Sequence, residues 1–66
     1  MKRKKKGIIY AETHDELTLK MTGYFHDHCY HLYYGKVENV PEKLLEDIDK
    51  NEKFVFIYEE DIPIVN

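Results

Sequence analysis

The chain has 66 residues, with ten Lys or Arg against thirteen Asp or Glu, a formal net charge of −3 and a single cysteine. That length holds one domain at most, and a lone Cys29 excludes an internal disulfide, so a small core must lean on packing, a metal or a second chain. Neither membrane insertion nor export is expected. No apolar stretch approaches spanning length, and Gly7 to Ala11 is too short for a secretory core before Glu12 interrupts it. A cytoplasmic protein with no membrane partner is expected, since an unpaired thiol suits a reducing compartment.

Charge is unevenly spread. Lys2, Arg3, Lys4, Lys5 and Lys6 are consecutive, whereas residues 7–66 hold five lysines against thirteen carboxylates, a net of −8. Like charges in a row repel and stay solvated, so residues 1–6 are expected to form a disordered basic tail ahead of a single α+β domain over 7–66.

The predicted elements then follow in chain order. Ile8 to Ala11 is a short strand candidate, and Thr13-His14-Asp15-Glu16 is polar enough for the turn after it. Leu17, Leu19 and Met21 alternate with Thr18, Lys20 and Thr22, which predicts a half-buried strand. From residue 28 a second alternation places His28, Tyr30, Leu32 and Tyr34 on one face and Cys29, His31 and Tyr33 on the other. Gly35 ends or bends that strand.

Asn39-Val40-Pro41-Glu42 reads as a helix start, because Pro suits a first turn and Glu42 complements the positive helix end. Leu44, Leu45 and Ile48 then share a face of a helix of about ten residues that stops near Asn51. Phe54 to Tyr58 is a continuous apolar run of strand type and is expected to be central. Ile62 to Val65 contains Pro63 and fits only a sheet edge. The order β-β-β-α-β describes a small antiparallel sheet with one short helix packed on one face. Its other face would then expose tyrosines and histidines.

Three classes of function are compatible with these residues. The first is a non-enzymatic binding or regulatory protein that acts through protein–protein contacts, as a homodimer. Its surface would combine Tyr30, Tyr33, Tyr34 and His28 with an acidic helix stripe of Glu42, Glu46 and Asp49. The stripe would steer towards a basic partner. The second is a nucleic-acid-associated regulator in which Lys2, Arg3, Lys4, Lys5 and Lys6 release phosphate counterions and exposed tyrosines stack on bases. The third is a small zinc module. His26 and His28, two apart on a strand, would lie about 7 Å from one another on one face, close enough to share a metal. The plainer alternative makes both histidines ordinary half-exposed strand residues.

Catalysis is not expected, and neither is a cofactor. The chain has no serine, and Cys29 and His28 would point to opposite faces of a strand. A nucleophile, a base and oxyanion donors do not converge in any spacing.

Overall fold

The computed structural model describes residues 2–63. Its elements are strand β1 (Lys2–Ala11), helix α1 (His14–Met21), strand β2 (Cys29–Lys36) and strand β3 (Phe54–Pro63). Three 3₁₀ segments join them: Thr22–Tyr24 after α1, then Val37–Asn39 and Glu42–Asp47 between β2 and β3. The sheet is three-stranded and antiparallel in the order β1-β3-β2. The chain is therefore a small α+β fold with one short α-helix.

Phe54 to Tyr58 forms the first half of the central strand, and its continuous apolar character has a direct cause. Both faces of β3 are covered, so neither parity of side chain reaches water. Val55 and Ile57 pack with Val37, Val40, Leu44 and Ile48 from the 3₁₀ side. Phe56 and Tyr58 pack on the opposite face with Ala11, Leu17 and Met21. Val55, Phe56 and Ile57 have no exposed surface at all.

Three expectations about individual segments are corrected. Residues 14–21 form a helix in place of the expected strand over 17–22. Leu17 and Met21 are one helical turn apart and buried, while Leu19 between them is 72% exposed. In a strand all three would share a face. The local cause is the N-terminus: the Thr13 hydroxyl accepts the Glu16 amide at 3.1 Å, and the Glu16 carboxylate accepts the Glu12 amide at 2.9 Å. This variant of the capping box satisfies donors that a nascent helix would otherwise leave open.

The expected helix after Pro41 is instead a 3₁₀ segment over Glu42–Asp47, followed by extended backbone at Ile48. Leu44 donates its amide to the Pro41 carbonyl and Ile48 to Leu45, both three residues back. The tighter winding lets a short stretch deliver Val40, Leu44 and Ile48 to one face of the sheet. The sheet consequently has no bare aromatic face: α1 lies on one side and the 3₁₀ segments lie on the other.

The third correction concerns the basic tail. Lys2 to Lys6 make up the first half of β1, paired residue for residue with β3. Lys4 lies opposite Asp61, Lys5 opposite Glu60 and Lys6 opposite Glu59. The cationic run and the acidic run thus neutralise one another across a ladder, which removes the self-repulsion expected to keep the tail solvated. Ile62 and Pro63 complete β3 opposite Arg3 and Lys2, whereas Ile64 and Val65 of the expected edge segment lie outside the described residues.

Candidate functional site

The two outer strands of the sheet differ sharply. β1 carries cations at positions 2 to 6, and lysines along an edge oppose pairing with another strand. β2 reads Cys-Tyr-His-Leu-Tyr-Tyr-Gly-Lys, with Lys36 as its single permanently charged residue and no proline. Its inner side is bonded to β3. Among the described residues, no backbone hydrogen bond joins the outer side of Tyr30 to Gly35 to any other segment. The flank of this open edge is apolar and exposed: Phe25, Tyr30, Leu32 and Tyr34 all lie at 41–66% exposure.

A β-bulge organises β2. Its register against β3 runs Cys29 with Glu60, Tyr30 with Glu59 and His31 with Tyr58. It resumes at Tyr33 with Ile57, so that Leu32 is the extra residue. A bulge reverses side-chain alternation on its far side. Cys29 and His31 therefore share the α1 face with Tyr34 and Lys36, while Tyr30 joins Tyr33 and Gly35 on the 3₁₀ face. Packing agrees. Cys29 belongs with the Phe56 cluster and Tyr33 with the Ile57 cluster.

This geometry scatters part of the expected interaction surface. Tyr30 and Tyr34 flank the same edge from opposite faces. Tyr33 is half-buried, with its hydroxyl donating to the Lys36 carbonyl at 2.7 Å. Burial, followed by the nearby Glu38 carboxylate, pushes that phenol's pKa up. The Tyr30 hydroxyl donates to Asp61 at 3.1 Å, and this bond to a carboxylate raises its pKa too. His28 lies in the turn before β2, exposed, with its carbonyl accepting the Asp61 amide at 2.8 Å. Glu42, Glu46 and Asp49 are exposed but form no stripe: at three residues per turn, positions four apart diverge, and Asp49 lies beyond the 3₁₀ segment.

The metal candidates separate as well. His26 and His28 occupy the bend and turn ahead of β2, so the strand spacing that would put them on one face does not apply. His26 Nε2 instead approaches Glu60 Oε2 at 3.6 Å. Among the described residues no group of three His, Cys, Asp or Glu converges as a metal site. His31 is structural: its Nε2 donates to the Tyr24 carbonyl at 2.9 Å, and its ring packs edge-on against Phe25 and Phe56.

Cys29 is half-buried beside Glu60. Burial first, and that carboxylate second, push its thiol pKa up, away from the reactive thiolate. At the far end of the sheet an open groove of about 560 Å³ is lined by Lys36, Lys50 and Lys53 together with Glu38, Glu52 and Phe54. Its charges are mixed and its floor is shallow. Two cations of the basic run are engaged: Lys4 Nζ lies 3.4 Å from Glu59 and Lys6 Nζ lies 2.9 Å from Asp47. Phosphates binding there would compete with these carboxylates.

No helix among the described residues is long and apolar enough to cross a membrane. Comparison with protein families, with characterised proteins and with solved structures gave no match. The open edge of β2 was missed in the sequence because an edge strand and an inner strand can carry the same residues. The absence of charge between Cys29 and Gly35 was the available signal.

Proposed function

We propose that this chain is a small, non-enzymatic binding protein that acts through protein–protein contacts, and that β2 is the element through which it binds. The observation that carries this reading is the contrast between the two sheet edges. One is guarded by lysines. The other presents unpaired backbone donors and acceptors between exposed aromatic and aliphatic side chains. An incoming strand would gain ladder hydrogen bonds from the backbone and side-chain contacts from Tyr30, Leu32 and Tyr34.

Self-association belongs to this reading. A core of this size is usually supplemented by a disulfide, a metal or another chain. The lone cysteine cannot supply the first.

The test is affinity capture on the full chain, run beside the doubly charged edge variant Leu32→Lys/Tyr34→Lys, with and without nuclease. A partner protein that survives nuclease and is lost with the variant supports the reading. A partner retained by the variant, or one released by nuclease, counts against it.

A further inference from the structure

The bulge at Leu32 changes the register in which β2 can pair with a second copy of itself. Two copies of a regular antiparallel strand match faces only when the dyad passes through a residue or its equivalent, so that the paired positions add to an even number. Pairing across an odd sum would set the inward residues of one copy against the outward residues of the other. In β2 the alternation reverses at Leu32. About a dyad between Leu32 and Tyr33, Cys29 faces Lys36 of a second copy, both on the α1 side. Tyr30 faces Gly35, both on the 3₁₀ side. His31 faces Tyr34, again both on the α1 side. Even-sum registers about Leu32 mismatch these positions. The neighbouring odd register, with Cys29 facing Tyr34 and Tyr30 facing Tyr33, matches faces but leaves Gly35 and Lys36 beyond the paired strand. The dyad between Leu32 and Tyr33 pairs all of Cys29–Lys36.

From this symmetry we infer that two copies of the chain pair antiparallel through β2, with the dyad between Leu32 and Tyr33, to form a continuous six-stranded sheet. The proposal rests on the reading of β2 as the binding edge and adds the partner and the register. Electrostatics are compatible with it. No like charges meet, and Lys36 of each copy enters the cross-strand row that already contains Glu60, on the same face. The opposite edge could not do this, because self-pairing of β1 near its start would bring lysine against lysine. Tyr30 would meet Gly35, over which the Tyr33 ring of that copy already lies, so the two tyrosines would come side by side on the 3₁₀ face. Leu32 would be withdrawn from water against Tyr33.

The sole native cysteine makes the register testable in the full chain. In this arrangement the two Cys29 residues lie seven positions apart along the ladder, about 23 Å at strand rise, too far for a disulfide. The variant Lys36→Cys places a thiol directly opposite Cys29 of the second copy. Sedimentation should show a dimer for the unmodified chain, and Leu32→Glu, at an exposed position, should remove it without changing the circular dichroism spectrum. Under diamide the unmodified chain should stay uncross-linked. Lys36→Cys should give a covalent dimer whose peptide map joins positions 29 and 36. A dimer that resists both variants, or one cross-linked through Cys29 to itself, overturns the register while leaving β2 open to a foreign partner. A monomer at submillimolar concentration overturns the self-pairing altogether, and the capture experiment then decides separately whether β2 binds anything.

Discussion

Lys6 and Glu59 face one another across the β1–β3 ladder, yet the Lys6 ammonium extends past its partner to Asp47, 2.9 Å away on the 3₁₀ segment. Glu59 is taken instead by Lys4, at 3.4 Å. The outer half of the sheet is thus held by an interlaced set of charges that ties the strand ladder to the covering segment. Each pair is partly exposed, so its individual contribution is small.

Reversing Lys5 and Lys6 to Glu should convert favourable cross-strand pairs into repulsive ones, at about 0.2–1 kcal/mol per pair. The loss should shrink as salt is added, because exposed charges are screened. Combining Lys6→Glu with Asp47→Lys should restore the share lost at that contact. Urea unfolding at low and high ionic strength measures both effects, and a loss that ignores salt would contradict the electrostatic account.

Gly7 lies opposite Tyr58, whose ring covers the position a Cβ would occupy. Gly7→Ala should therefore destabilise the fold by about 1–3 kcal/mol through overpacking. Gly23 has nothing within 4 Å of the corresponding point. Gly23→Ala should be neutral, or stabilising by up to about 1 kcal/mol, by restricting the unfolded chain. Thermal melts should place Gly7→Ala below the unmodified chain and Gly23→Ala level with it or above it.

The N-terminus of α1 makes a pH prediction. Hydrogen bonding to the Glu12 amide first, then to Lys20, holds the Glu16 carboxyl below its ordinary value. A group with a depressed folded pKa adds stability above its unfolded pKa, about 4.3 for Glu, and loses it as pH falls through the folded value. Glu16→Gln should flatten the acid limb of the stability curve between those points and leave its alkaline side unchanged. Thr13→Ala, which removes the other half of the cap, should cost about 1 kcal/mol. An acid limb unaltered in Glu16→Gln would show that the carboxylate does not stabilise the helix.

Leu17 and Leu19 discriminate helix from strand directly. Leu17 is 1% exposed and Leu19 is 72% exposed. Leu17→Ala should cost about 2–5 kcal/mol, enough to threaten a domain this small, while Leu19→Ala should be within about 0.5 kcal/mol of neutral. In a strand the two would share a face and lose stability alike. Denaturant midpoints of the two variants decide the matter.

Much of the α+β character was readable from residues alone, because some signals are local and have one physical meaning. A five-residue apolar run such as Phe54 to Tyr58 can satisfy its side chains only where both faces are covered, which makes a central strand. Other signals were ambiguous in kind. Leu17, Leu19 and Met21 fit a period of two, and the i, i+4 pair Leu17 and Met21 fits a helix equally well. The Thr13 to Glu16 spacing was the local cue that separates them. Tertiary structure alone decided the rest. Nothing in Lys4-Lys5-Lys6 names Glu59-Glu60-Asp61 as its partner across more than fifty residues, since charge is sensed at whatever distance folding creates. Nor does Leu32 carry any mark of a bulge: that extra residue exists only in relation to the strand beside it, and it is what sets the tyrosines on opposite faces of an open edge.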